Sequence, residues 1–529
     1  MGKEIGIDFG TTNTVVSYVN KKGSLRQLKY DRKEIIPTII YFKTEDEYYV
    51  GQKANDLLRA NKNQAGVTNF KPIIGEKTKI EIVPEEGEPF TMRPRKLAQL
   101  FLNKIVGGMQ EKLFKEFGPI DGCIDTAVIT VPAKFNSTEK ENIRKAAKDA
   151  GLRMAKLAAE PTAAAIAYQN DLGIEEGEDS KNAVLVYDFG GGTFDVSVIC
   201  KDNGKFREIA TDGDKELGGS NLTAKIAENL LEAVNDEFGM ELPFDPEEFD
   251  EDYHEMPHAT YVKNMIEINS AANNIKETLS DAEHVIQDCT IIDTEGETQN
   301  YTFNYGRKEI EKIIKADIKH TVDITSNAIT EAKNQGVNIS QVVLAGGSSN
   351  IPLVKELLEK EVSLENVVYS EDVSTLISRG AAVLAGKVQS LSDVTSQITN
   401  AQLGIAATEG IQYGKFQMII PANAKLPCSG TRNFNLTNDG QTRLDITYYE
   451  YDVKNYPHAV RVDEQGMNEI DTLIIDNLPE GLKKDEVVVE VTFTAEADGS
   501  LDISAEVKDT QGNSIQAGEM SIAKESDLE

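Results

Sequence analysis

The chain has 529 residues, with 55 basic and 88 acidic side chains and a formal net charge of −33. Such an excess of acid argues against nucleic acid or an anionic membrane surface as a general partner, but it permits a local phosphate site. With 40% apolar residues and no run of the roughly 18–20 that a bilayer requires, a folded multi-domain protein is expected, most simply a cytoplasmic one.

The first element predicted is strand–turn–strand over residues 5–19, IGIDFGTTNTVVSYV, entered directly from Met1 with no signal-peptide h-region. A strand over AVITVPAKFN (127–136) runs into a helix, with Ser137 and Thr138 as candidate N-caps. Residues 185–199, LVYDFGGGTFDVSVI, repeat the first pattern, so Asp8-Phe9-Gly10 and Asp188-Phe189-Gly190 stand 180 residues apart. The strand in VVLAGGSSNIP (342–352), followed by a helix from Pro352, echoes residues 127–136. Strands alternate with helices through both halves, which predicts an α/β class and two similar lobes. From about residue 396 helix signals give way to strand-like runs at 412–421, 442–453 and 486–513, separated by turns such as Asn438-Asp439-Gly440. These predict a β-sandwich of about 130 residues. Four cysteines (Cys123, Cys200, Cys289, Cys428) lack CxxC spacing and are expected to be buried thiols.

The two Asp-Phe-Gly turns carry the chemistry. Glycine lets backbone N–H groups approach a phosphate and form an anion nest. Thr11, Thr12 and Thr193 add hydroxyl donors, and Asp8 and Asp188 suit a magnesium ion that keeps most of its waters. Either turn alone reads equally well as a ligand-free hairpin; the duplication favours a clamp on a nucleoside triphosphate. No P-loop and no Rossmann fingerprint occur.

Together IGIDFGTTNT, LAAEPTAAAIAY (157–168), VYDFGGGTFDVSVI and LAGGSSNIP, in this order, resemble the bacterial-type 70-kDa heat-shock chaperone family. The resemblance extends through VEVTFTAEADGSLDISA. It implies an actin-like two-lobed ATPase (ribonuclease H-like, duplicated) over residues 1–387, with lobe I about 1–182 and lobe II about 183–387. A linker over 388–395 and a β-sandwich substrate-binding domain over 396–525 would follow, with no helical lid. The implied activity is that of an ATPase. ATP hydrolysis would control the binding of extended hydrophobic segments of unfolded proteins, in protein folding and the stress response. ATP/ADP and Mg2+ are the implied cofactors, and a cytoplasmic monomer the implied state. J-domain co-chaperones and nucleotide-exchange factors are the implied partners, although docking positions are altered: Lys140 and Lys156 replace arginines, and the linker keeps only Leu391 and Asp393 of its pattern. An actin-fold metabolite kinase and a nucleotide-gated scaffold with little ATPase activity remain as alternatives.

Residue by residue, the resemblance makes Lys71, Glu160, Asp188, Thr193, Asp8 and Asp195 the catalytic set, with Asp8 and Asp188 holding magnesium through water. Read locally, Lys71 is a solvated loop lysine and Glu160 a helix-start glutamate before Pro161. Nucleotide contacts are carried over to Gly10, Thr11, Thr12, Asn13, Gly190, Gly191, Gly192, Thr193, Gly218, Gly219, Lys276, Ser280, Gly346, Gly347 and Ser348. Asn273 stands where the family has glutamate, and Glu277 and Asn350 where it has arginines, which implies weaker adenine binding. Phe416, Phe434, Leu444 and Ile446 match positions in or near the peptide cleft, and read equally as sandwich core. His254-Glu255-Met256-Pro257-His258 spells a zincin motif, but Pro257 should break the helix that motif needs.

Overall fold

The computed structural model describes residues 3–521, apart from 62, 119–121, 153, 172–179, 203–204, 363–372, 387–394, 397, 400, 410–411, 454–455 and 497–498. The chain divides into two compact units. The first comprises 1–133, 146–204 and 209–386; the second comprises 134–145, 205–208 and 387–529.

The first unit contains the duplication. Strand Lys3–Phe9 pairs antiparallel with Asn13–Val19 through the Gly10–Thr12 turn, and parallel with Ile124–Val131 on its other side. Strand Ser180–Phe189 pairs antiparallel with Phe194–Asp202 and parallel with Asn338–Ala345. The parallel partners are therefore the two segments whose sequences echo one another. In each lobe the Asp-Phe-Gly strand sits inside its sheet. That explains its unbroken apolar run, since a central strand covered on both faces has no polar side to offer. Ile5, Ile7 and Phe9, like Leu185, Tyr187 and Phe189, are fully buried. Phe9 packs against Phe70 and Phe101, and Phe189 against Tyr187 and Phe194, at ring separations of 5.8–6.4 Å.

The helix predicted after residue 136 spans Ser137–Asp149, but neither Ser137 nor Thr138 caps it. Asn136 does: its Oδ1 accepts from the Glu139 backbone N–H at 2.8 Å, and the Glu139 carboxylate accepts from the Asn136 N–H at 2.6 Å. This reciprocal capping box satisfies two end donors at once, which a lone serine would not.

In the second unit two four-stranded antiparallel sheets enclose one hydrophobic core. The first sheet orders Gln412–Ile420, Gln402–Glu409, Leu444–Tyr451 and Met467–Ile475; the second orders Cys428–Phe434, Val487–Ala495, Leu501–Asp509 and Ser514–Ser521. Strict alternation of buried and half-buried residues along Val487–Ala495 places Val487, Val489, Val491 and Phe493 inside. The core also takes Leu403, Ile446, Tyr448 and Leu473. Strands form within each of the three expected runs, at Gln412–Ile420, Leu444–Tyr451, Val487–Ala495 and Leu501–Asp509. Gln402–Glu409, Cys428–Phe434 and Met467–Ile475 are strands that the sequence patterning passed over.

The cysteines depart from expectation. All four are free, but only Cys289 is fully buried; Cys200 and Cys428 are half-buried and Cys123 is exposed. No helix among the described residues is long and apolar enough to cross a membrane. The zincin motif fails as its proline suggests. The helix begins at His258 with Pro257 as its N-cap residue, and His254 lies outside it, stacked on Phe249.

Candidate nucleotide site

Each lobe delivers its aspartate at the end of a central strand, immediately before a glycine turn. Asp8 lies opposite Val15 in its hairpin and beside Thr130 in the parallel pair. Asp188 lies opposite Asp195 and beside Ala345. Both carboxylates are driven into a region where they repel one another. Burial first, and then the charge of Glu160, push Asp8 up to about 7, against the pull of Lys71 and of the Thr130 hydroxyl, which donates to Oδ1 at 3.4 Å. Burial, followed by Glu160, Asp195 and Asp8, raises Asp188 well above the ordinary carboxylate range.

Lys71 answers part of this charge. It is only 2% exposed, and its ammonium donates to Glu160 Oε1 at 2.9 Å. The reading of Lys71 as a solvated lysine is thereby overturned. Two local features set up the pair. Asn69, in the left-handed conformation (φ 55°) that asparagine tolerates, turns the chain into the Lys71 loop. Glu160 opens helix Glu160–Asp171 directly from strand Met154–Ala159, with Pro161 next. A carboxylate there meets the positive end of the helix dipole.

The glycine turns close on each other. A Cβ placed on Gly191 would lie 1.9 Å from the Thr12 hydroxyl oxygen, and one on Gly192 2.7 Å from Thr11. Behind the Gly190 turn, Gly219 N–H donates to Gly190 O at 3.0 Å and Ser220 N–H to Gly191 O at 2.7 Å. The start of helix Gly219–Phe238 is thus fixed against the turn. Ser348 Oγ also donates to Gly190 O, at 2.9 Å. Gly346 adopts φ 78°, and its missing side chain lets the chain pass so near that a Cβ would lie 2.5 Å from Phe189 backbone carbon and 2.6 Å from Asp188 Oδ1. Lys276, on helix His258–Asp281, reaches the same turn and donates to Gly219 O at 2.9 Å and Thr223 Oγ1 at 2.6 Å. Its burial lowers its pKa to about 8.

The structure therefore gathers Asp8, Thr11, Thr12, Lys71, Glu160, Asp188, Asp195, the Gly190–Thr193 turn, Gly218, Gly219, Lys276 and Ser348 around one place. Gly346 and Gly347 adjoin it, and Ser280 lies one turn beyond Lys276, its hydroxyl spent on Lys276 O at 3.1 Å. Gly10 and Asn13 bracket the lobe I turn. Sequence reasoning missed Thr130, Ser220 and Thr223. Thr130 carried a faint signal, as a hydroxyl at the end of an apolar strand.

The residues present fit magnesium with a polyphosphate. Buried Glu160, Asp188 and Asp195, with half-buried Asp8 beside them, face the Lys71 ammonium, so the site lacks positive charge, while paired glycine turns offer N–H groups to an anion. Magnesium keeps most of its waters and binds through one or two carboxylates plus phosphate oxygens, a demand that Asp8 and Asp188 can meet.

The four candidate peptide-cleft residues do not gather into one cluster. Ile446 is core; Phe434 and Leu444 are half-buried against that core. Phe416 instead sets its ring against Tyr451 at 5.5 Å, and its N–H donates to Val460 O at 2.9 Å. Leu391 and Asp393 of the linker lie outside the described residues.

A duplicated strand–glycine turn–strand unit, presenting one aspartate from each lobe to a buried lysine–glutamate pair, defines a two-lobed nucleotide-binding ATPase. Comparison with known proteins makes this particular: the family profile of the Hsp70 proteins matches residues 4–529, and the chain belongs to the Hsp70 family. It is similar to the chaperone protein DnaK of Ureaplasma urealyticum serovar 10, at 28% identity over 97% of this chain and 78% of the relative. It is also similar to the chaperone protein DnaK of Mycoplasma mycoides subsp. mycoides SC, at 29% identity over 96% of this chain and 79% of the relative.

Proposed function

We propose that this protein is an ATP-dependent molecular chaperone, in which ATP hydrolysis at the site between the two glycine turns controls the binding of extended hydrophobic segments of unfolded polypeptides. The observation that carries the reading is the buried Lys71–Glu160 pair set beside Asp8 and Asp188 in a chain of this family. The kinase and scaffold alternatives have no comparable support. Residues 1–387 are read as the nucleotide-binding domain, 388–395 as the linker and 396–525 as the substrate-binding β-sandwich; the change of unit after Gly386 supports that boundary, while 134–145 and 205–208 group with the second unit.

Phosphoryl transfer to water asks for positioning and charge stabilisation more than covalent chemistry. The Gly191 and Gly192 backbone N–H groups and the Thr11, Thr12 and Thr193 hydroxyls receive the phosphate oxygens. Lys71 places its ammonium where charge grows on the terminal phosphoryl group, and Glu160 keeps that ammonium oriented while its second oxygen holds the attacking water. Asp8 and Asp188 would hold magnesium through its waters, with Asp195 reinforcing the local charge. Magnesium, when bound, neutralises phosphate oxygens and stabilises the leaving diphosphate. Phe416, Phe434 and Leu444 are the side chains proposed to meet the client, with Ile446 behind them in the core, and the client backbone would add hydrogen bonds of the strand type.

The test is single-turnover ATP hydrolysis with magnesium, with and without excess extended hydrophobic peptide. A peptide-dependent rate supports the reading. Hydrolysis that ignores every such peptide would sink it in favour of an uncoupled ATPase.

A further inference from the structure

The two phosphate turns differ in what stiffens them. Lobe I uses Thr11 and Thr12, whose Cβ atoms restrict the backbone. Lobe II uses three glycines in succession, Gly190, Gly191 and Gly192, which restrict it least. The orientation of their peptide planes matters, because a trans peptide carries its C=O and N–H on opposite edges. A plane that offers its N–H to an anion keeps its carbonyl behind the turn. The same plane turned over would aim the carbonyl oxygen at the anion.

Both carbonyls of this turn are held behind it by two donors each. Gly190 O accepts from Gly219 N–H at 3.0 Å and from Ser348 Oγ at 2.9 Å. Gly191 O accepts from Ser220 N–H at 2.7 Å and from Ser220 Oγ at 2.8 Å. A carbonyl oxygen has two lone pairs, so each is fully used. The donors belong to two separate elements, the start of helix Gly219–Phe238 and the Gly347–Asn350 turn. The helix start also presses on the third glycine, since a Cβ on Gly218 would lie 2.4 Å from the Gly192 carbonyl carbon.

We propose that Ser220 is a positioning residue for the polyphosphate. Its hydroxyl, together with that of Ser348, pins the carbonyls of the triple-glycine turn, so that the Gly191 and Gly192 N–H groups face the phosphates before they arrive. This rests on the nucleotide-binding reading above. Donors fixed in advance need no reorientation when charge develops on the ligand. Ser220 acts through the turn, because its hydroxyl is spent on Gly191 O.

Calorimetric titration of the full chain with magnesium and ADP, beside thermal unfolding, tests the proposal. Ser220→Ala should weaken ADP binding about 2- to 12-fold, the worth of one hydrogen bond. Its unfolding temperature should stay at the parent value, because Gly191 O keeps the residue 220 N–H. Ser220→Thr retains the hydroxyl and should restore ADP affinity. Unaltered ADP binding by Ser220→Ala overturns the proposal and leaves the nucleotide site standing. A threonine variant as weak as the alanine variant, or a loss of affinity matched by a lower unfolding temperature, also overturns it and makes the contact a structural one. Absence of ADP binding by the parent chain removes the nucleotide reading itself, and the proposal with it.

Discussion

At the scale of single residues, the Lys71–Glu160 pair has two roles that mutation can separate. Lys71→Ala leaves Glu160 buried without its cation, which costs about 3–5 kcal/mol of stability, and it should lower hydrolysis about 10²–10³-fold. Lys71→Met with Glu160→Gln removes both charges, so thermal unfolding should return near the parent while hydrolysis stays lost. Recovery of hydrolysis in the double variant would show that the pair serves stability alone. Asp8 supplies a second prediction. Its pKa is about 7 in the folded protein, against 3.8 for an unperturbed aspartate, so between these values the folded state holds a proton that the unfolded chain releases. The associated stability is present below about pH 4 and is lost as pH rises through 7, with a slope near 1.4 kcal/mol per pH unit while the group titrates. Asp188, raised for similar reasons, adds to the same trend. Metal-free protein should therefore melt at a lower temperature at pH 7.5 than at pH 5.5, and Asp8→Asn should flatten that dependence. A profile unchanged by the substitution would place the titration elsewhere.

Among the elements, the Gly346 turn is tightly constrained. It passes against the backbone of the Ser180–Phe189 strand with φ 78°, a combination only glycine accommodates without strain. Gly346→Ala should cost about 1–3 kcal/mol from backbone strain alone and push the turn away from Asp188. Urea unfolding and nucleotide titration should both register the change; normal values for both would mean that the turn relaxes freely in solution. Such close approaches explain what the sequence made legible. The Asp-Phe-Gly turns and the 346–348 turn stand out because their geometry tolerates few residue types, and the duplicated strands because a strand buried on both faces must be apolar throughout. Elements stabilised by long-range pairing left weaker marks. Lys71 and Glu160 are 89 residues apart, so nothing local distinguishes Lys71 from a solvated lysine. Strands such as Cys428–Phe434, with the sequence CSGTRNF, carry mostly exposed or half-buried polar residues and lack the alternation that marks Val487–Ala495. Asn136 was hidden as a cap because the adjacent Ser137 and Thr138 fit the same rule.

For the whole molecule, the question is whether a nucleotide in one unit and a peptide on the other sense each other. Linkage makes this measurable without knowledge of the route. If bound ATP changes peptide affinity by some factor, bound peptide must change ATP affinity by the same factor, because both ways round the cycle reach the same doubly bound state. Couplings of this kind lie at about 1–3 kcal/mol, or roughly 5- to 150-fold. The proposed function requires ATP to weaken peptide binding, so peptide must weaken ATP binding equally. Both factors can be obtained at equilibrium with a slowly hydrolysed ATP analogue and a fluorescent extended peptide, titrated in each order. Equal factors above fivefold would establish a coupled chaperone cycle. Two factors of one would mean that nucleotide and client occupy the chain independently, and that hydrolysis here has no client affinity to control.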